Sequence, residues 1–234
     1  MAKTASKKKP EDIVEVFGEE DVPQRSEAWF ELRRGIPTAS KFAAILAEGK
    51  DGGPSLTRAA YMDKLAGEIL TGQIDEEFKT EAMRRGIEME AEALEWYERT
   101  HFVDMERVGF VRRTVHPPLG QPFVVGCSPD ARVPKLRRLV QIKTERPDLL
   151  IQRVRRGAAG FPTQHRAQCQ GEMWVEGAET CDLVIFYRGW KSPPKFTMER
   201  DDKFISLLAE QVEKFVYELN MLVKQIKETG KGWK

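Results

Sequence analysis

Residues 126–143 read Gly126-Cys127-Ser128-Pro129-Asp130-Ala131-Arg132-Val133-Pro134-Lys135-Leu136-Arg137-Arg138-Leu139-Val140-Gln141-Ile142-Lys143. An apolar run, Phe123-Val124-Val125, leads into Ser-Pro-Asp. A basic turn follows, then a second apolar run of Leu139, Val140 and Ile142 that carries Gln141 and Lys143. Strand side chains alternate between faces, so Gln141 and Lys143 share one face and Val140 and Ile142 the other. Two polar groups on one face of an otherwise buried strand need a reason, because burying them unpaired is costly. A divalent cation and a phosphate would supply it. A hard cation prefers charged oxygen ligands, so Glu would be the usual occupant of position 141.

The totals bound the answer further. The chain has 234 residues and 41% hydrophobic content, enough for one domain with a real core. No run of about 18 apolar residues occurs, so no membrane span is expected. The first ten residues are basic, with no apolar stretch behind them, and do not resemble a signal peptide. Residues 1–20 read as a disordered basic tail, and 21–234 as a single domain. Cys127, Cys169 and Cys181 are widely spaced and form no C-x-x-C. That argues against a zinc site and for reduced thiols in a cytoplasmic setting. His101, His116 and His165 also lack metal-ligand spacing. Net charge is +1, from 38 Lys and Arg against 37 Asp and Glu, but the signs segregate. Basic clusters occur at Arg33-Arg34, Arg84-Arg85, Arg112-Arg113, Arg132–Arg138 and Arg153–Arg156, and acidic groups gather at 11–21, 75–77 and 88–98. A neutral total with segregated sign fits a basic groove on a soluble body.

Ser26 is placed to cap a short helix over 26–34 that Gly35 ends. A second helix is expected from Thr38 or Ser40 to Glu48, followed by a loop at 49–54. Ser55 would cap a third, with the stripe Leu56, Ala59, Ala60, Leu65, Ala66, Ile69 and Leu70, stopped at Thr71-Gly72. Over 80–100, Ile87, Ala91, Leu94 and Tyr97 follow helical spacing and Glu90 falls inside their stripe. A carboxylate there is paired, protonated or bound to a metal. Strands are expected at 107–113, 122–127, 138–143, 181–188 and 195–199, and a helix at 162–176. A long helix at 201–228 is apolar at Phe204, Leu207, Leu208, Val212, Phe215, Leu219 and Leu222. This order predicts a mixed α/β domain whose central sheet is flanked by helices.

Phosphodiester cleavage needs a nucleophile made from water and a way to spread charge over the phosphate oxygens, and Mg²⁺ does both. Asp130 and residue 141 would converge across a β-hairpin, with Lys143 pointing the same way and Glu90 completing an acidic face. The backbone carbonyl of Ile142 could join the metal shell.

At these residues the chain resembles a known family. Ser128-Pro129-Asp130 with Gln141-Ile142-Lys143 is similar to the P-D…(D/E)-x-K motif of restriction-endonuclease-like nucleases. More narrowly, roughly residues 25–225 resemble the lambda exonuclease and YqaJ viral recombinase family. Trp29-Phe30-Glu31-Leu32-Arg33-Arg34-Gly35-Ile36-Pro37-Thr38-Ala39-Ser40 resembles that family's W-x-x-x-R-x-G-x-x-T-A-S segment. Gly86-Ile87-Glu88-Met89-Glu90 resembles its G-x-x-x-E, and Ala167-Gln168-Cys169-Gln170-Gly171-Glu172-Met173-Trp174 its A-Q-x-Q-x-x-M-W. Each motif alone has a structural explanation: Asp130 could cap a turn, Lys143 could end a strand, Gln168 could be a surface amide. Four motifs in family order are specific.

The resemblance implies a restriction-endonuclease-like core and a Mg²⁺-dependent 5′-to-3′ exonuclease, with Mn²⁺ as a substitute. It would act on double-stranded DNA ends and leave 3′ overhangs for recombination by strand annealing. It implies Glu90 and Asp130 as metal-site carboxylates beside position 141 and the Ile142 carbonyl, and Lys143 as the catalytic lysine. Gln168 would lie near the attacking water. Arg33, Ser40 and Ser128 would bind the 5′-terminal phosphate, as a guanidinium fork and hydroxyls suit. Arg146 and Arg153 are candidates for a further phosphate contact. A ring-shaped homotrimer, a single-strand annealing partner and a phage or prophage origin in a bacterial host are implied too. The departure is Gln141, which offers a neutral oxygen where the family has an acid, and predicts weak or absent cutting with DNA binding kept. An introduced Glu→Gln exchange is the simplest origin, and a natural inactive paralogue the other. A catalytically silent DNA-end-binding module and an endonuclease of the same fold are the rival readings.

Overall fold

A computed structural model describes residues 11–50, 52–74 and 81–230, with only the backbone of 81–83. The N-terminal ten residues and the acidic group at 75–77 lie outside the described residues. Seven strands form a mixed sheet: β1 (Ile13–Gly18), β2 (Glu106–Val115), β3 (Phe123–Cys127), β4 (Ala131–Val133), β5 (Arg138–Lys143), β6 (Thr180–Ile185) and β7 (Lys195–Glu199). Their order is β1-β2-β4-β5-β6-β7, with β3 also paired to β2. Among the described strands, only β5 and β6 run parallel. A parallel pair needs a crossover, and α5 (Pro147–Arg156) with α6 (Arg166–Glu176) supplies it. The other helices are α1 (Glu27–Arg33), α2 (Phe42–Ile45), α3 (Leu56–Thr71), α4 (Glu81–His101) and α7 (Asp202–Thr229).

The alternation read along β5 sets the layers. Val140 and Ile142 pack with Met89, Ala93, Leu94 and Tyr97 of α4. Leu139 packs oppositely, with Cys169 and Met173 of α6. A further core joins α2, α3, α6 and α7 to β2 and β3. Gly171 lets α6 approach α2, since a Cβ there would lie 2.4 Å from Cδ2 of Phe42. Asp182 is buried between layers but fully tied: Tyr97, Lys195 and Thr197 all donate to it. Those bonds outweigh burial and hold its carboxyl below the usual range.

Several expectations shift. Within the tail expected over residues 1–20, Ile13–Gly18 is instead an edge strand paired with β2. Its apolar residues stand between acidic flanks, which masked the strand. The helix expected to reach Glu48 is a single 3₁₀ turn, Ala39–Lys41, followed by the short α2. On α3 the buried face is Arg58, Tyr61, Leu65, Ala66 and Glu68, while Leu56 is 90% exposed. Tyr61 stacks on Phe215, and Arg58 lies over that ring and pairs with Glu218, so two polar-tipped residues displace the small alanines. On α4, Met89 and Ala93 are buried and Ala91 is exposed, which moves Glu90 from the middle of the stripe to its edge. Leu207 on α7 faces outward. Strand β4 and helix α5 were not expected; β4 has three residues, and basic side chains fill the second half of α5.

Candidate active site

One cavity of about 630 Å³ opens at the ends of β4 and β5. Glu90, Asp130, Gln141, Ile142, Lys143 and Gln168 all line it, as do Arg33, Ser40 and Ser128. The structure thus brings together every residue singled out for the site, except the two alternative arginines. Arg146 pairs with Asp148 at the surface, and Arg153 with Glu145; neither reaches the cavity.

The hairpin fixes the centre. Ala131 pairs with Val140, which puts Asp130, just before β4, beside Gln141. One Asp130 oxygen, Oδ2, accepts from the Gln141 amide nitrogen (2.8 Å) and from the Ile142 backbone N–H (2.6 Å). Burial, reinforced by the Glu90 charge, raises the Asp130 carboxyl to about 7. Lys143, the Ile142 N–H and Arg25 oppose that rise without cancelling it. A carboxylate so placed gains its charge when a cation arrives. Gln141 thus turns its nitrogen to Asp130, and its Oε1 is buried with no hydrogen-bond partner.

From α4, Glu90 accepts a 2.7 Å bond from Arg25. Arg25 was not foreseen. It sits at φ +72, in the left-handed region that non-glycine residues avoid. Strain of that kind persists only where neighbours hold it. Gln24 does so, donating to the carbonyls of Val108 and Pro129. The Ser26 hydroxyl then caps α1 by accepting from Trp29 N.

The phosphate candidates form a second cluster along the same wall. The Arg33 guanidinium stacks 4.0 Å over Trp29 and donates to Ser128 Oγ (3.4 Å) and Thr38 Oγ1 (3.3 Å). Thr38 Oγ1 also meets Ser40 Oγ at 3.3 Å. The Trp29 indole N–H is shared between Ser128 Oγ and the Gly109 carbonyl, each at 2.9 Å. Trp29 is half-buried and forms the platform that aims Arg33.

Glu172 is the second unforeseen member. It lies one turn after Gln168 on α6, accepts from the Gln168 amide (2.8 Å) and is 1% exposed. Burial raises its carboxyl to about 8, against the pull of the Gln168 bond and the Lys143 charge. Its other oxygen, Oε2, has no partner.

Among the described residues, no three carboxylate, histidine or cysteine side chains form a ready metal cage. Mg²⁺ does not need one, because it keeps several waters and binds through one or two carboxylates. Two orphaned buried oxygens next to Asp130 fit such an ion. Apart from Arg33, the basic clusters read from the sequence do not line this cavity. Arg112, Arg113, Arg132, Lys135, Arg137 and Arg138 each pair with a carboxylate.

A family model described as the YqaJ-like viral recombinase domain matches residues 28–179. A search of curated proteins finds no match. Among solved structures, the chain is similar to an alkaline exonuclease, LHK-Exo, from Laribacter hongkongensis. Identity is 26%, over 88% of this chain and 98% of that one, with a TM-score of 0.74. The same exonuclease in complex with dAMP matches at 27% identity, with the same coverage and TM-score. A phage-related exonuclease from Haemophilus somnus 129PT shares the fold at 16% identity and TM-score 0.57, over 82% of this chain and 96% of that one. The mixed sheet flanked by helices is that of PD-(D/E)XK-type exonucleases.

Proposed function

Because the chain belongs to the YqaJ-like viral recombinase domain family, we propose that its cavity is the active site of a metal-dependent exonuclease. The substrate would be a double-stranded DNA end, degraded 5′ to 3′ to leave a 3′ overhang for strand annealing. One observation carries this reading: Glu90, Asp130, Gln141, Lys143 and Gln168 share a cavity with Arg33, Ser40 and Ser128. The first group suits hydrolysis, and the second suits a terminal phosphate.

Asp130 and Glu90 would hold Mg²⁺, or Mn²⁺ in its place, with the Ile142 carbonyl and the Gln141 amide oxygen. The ion would supply an activated water and neutralise charge on the scissile phosphate. Lys143 follows two residues after Gln141 on the same strand face, where its ammonium stabilises charge that develops on the phosphate oxygens. The Gln168 amide, held through its nitrogen by Glu172, keeps its oxygen for the attacking water. Arg33, fixed by Trp29, forks onto the 5′ phosphate with the hydroxyls of Ser40 and Ser128. Gln141 lacks a charge, so this chain cuts more slowly than its Gln141→Glu form. That same neutrality favours the second reading, a DNA-end-binding module without catalysis. A homotrimeric ring would let a chain of net charge +1 retain DNA by enclosure; sedimentation at three times the 26.8 kDa chain mass checks it. An annealing protein would take up the overhang.

The test compares linear 5′-phosphorylated duplex with closed-circular DNA in Mg²⁺, for this chain and for Gln141→Glu. Linear DNA alone should be lost, faster with Gln141→Glu by about 10–100-fold. Cutting of closed circles would overturn the exonuclease reading. Equal, high activity in both forms would remove position 141 from the metal site. Tight binding of ends with no cutting by either form would leave the binding module.

A further inference from the structure

We propose that Glu172, on α6, is a further acid of the cation site, standing in for the charge that β5 lacks at Gln141. The proposal rests on the nuclease reading and adds a ligand to it. The strand face bearing Leu139, Gln141 and Lys143 looks toward α6, because Leu139 packs against Cys169 and Met173. On α6, Gln168 and Glu172 are one turn apart and therefore share a face. Both line the cavity with Asp130 and Gln141.

The unpaired atoms point to what belongs between them. Among the described residues, four buried side-chain polar atoms have no hydrogen-bond partner. Two are nitrogens, on Arg85 and His116; the two oxygens are Gln141 Oε1 and Glu172 Oε2. Both residues line this one cavity. Buried polar atoms are almost always hydrogen-bonded, and a carboxylate is among the costliest groups to leave unpaired. Two buried acceptors without a donor, on residues of one cavity, are what a bound cation resolves. Glu172 is also held in place: its Oε1 is anchored by Gln168, which leaves Oε2 directed to the ion. Glu172 then adds its carboxylate beside Asp130, and the Gln141 amide oxygen adds a neutral ligand. The strand has lost its acid while the facing helix provides one.

The experiment titrates the full-length chain with Mn²⁺ in the absence of DNA. Free ion is read by its electron paramagnetic resonance signal, and a melting curve is recorded for each form. Glu172→Gln should weaken Mn²⁺ binding by roughly 10–100-fold. Gln141→Glu placed on that background should restore it, because either position can carry the charge. Unchanged Mn²⁺ affinity in Glu172→Gln overturns the proposal, and a shifted melting temperature in that case marks Glu172 as a buried structural acid. A lower cleavage rate at unchanged affinity also overturns it, and leaves Glu172 as the anchor of Gln168 alone. If neither the parent chain nor Gln141→Glu binds Mn²⁺, the nuclease reading fails with it, which separates the two failures.

Discussion

Arg33 shows how much a single side chain depends on its support. Its guanidinium is charged throughout the usable pH range and presents a rigid fork, but the fork is useful only when aimed. Trp29 beneath it and the Ser128 and Thr38 hydroxyls at its edges do the aiming. A charge-assisted hydrogen bond is worth about 1.5–3 kcal/mol. Arg33→Ala should therefore lower the preference for 5′-phosphorylated over 5′-hydroxyl ends by roughly tenfold or more. Competition binding of the two ends, in EDTA, measures this apart from cleavage, and an unchanged ratio would remove Arg33 from the phosphate site. Arg33, Asp130, Gln141 and Lys143 were legible in the sequence because each sits in a short local pattern. Arg25 and Glu172 were not. Arg25 matters through a strained backbone angle and a contact with Glu90, 65 positions away. Glu172 matters through burial against a strand some 30 residues earlier, which no local period reports.

Among the elements, the hairpin of β4 and β5 and the helix α6 position the chemistry, and they differ in how far the sequence revealed them. The alternation along β5 was visible and correct, since every core contact of Leu139, Val140 and Ile142 follows it. Strand β1 was hidden by charge, and the face of α3 was misjudged because Tyr61 and Arg58 bury better than the alanines beside them. Helix α6 lies close only because Gly171 has no side chain. A Cβ there would stand 2.4 Å from Phe42, itself fully buried. Overpacking of that kind costs about 1–3 kcal/mol. Gly171→Ala should lower the melting temperature and, by pushing Gln168 and Glu172 off the cavity wall, weaken Mn²⁺ binding together with it. A variant as stable as the parent would show that α6 has room to spare.

Over the whole molecule, stability and activity answer to different acids and bases. His165 precedes α6; burial, then the Lys143 charge, pushes it down from 6.5 to about 4, with Arg153 adding to the shift and Glu145 opposing it. Its folded value is lower than its unfolded one, so between those values the unfolded chain binds more protons. The contribution of His165 to stability should therefore be lost as pH drops from about 6.5 toward 4, while the raised carboxyls of Asp130 and Glu172 act in the opposite direction; His165→Gln should shift the slope toward greater stability at low pH in melting curves taken across the window. An unchanged slope would assign the acid sensitivity to other groups. The surface arginines, which the sequence suggested would form a basic groove, are instead neutralised pairwise by carboxylates. Diffraction from crystals soaked in Mn²⁺, recorded for its anomalous signal, tests the cation site most directly. The account predicts a peak within coordination distance of the Asp130 carboxylate, facing Gln141 and Glu172. An empty cavity at saturating Mn²⁺, or a peak away from Asp130, would contradict it.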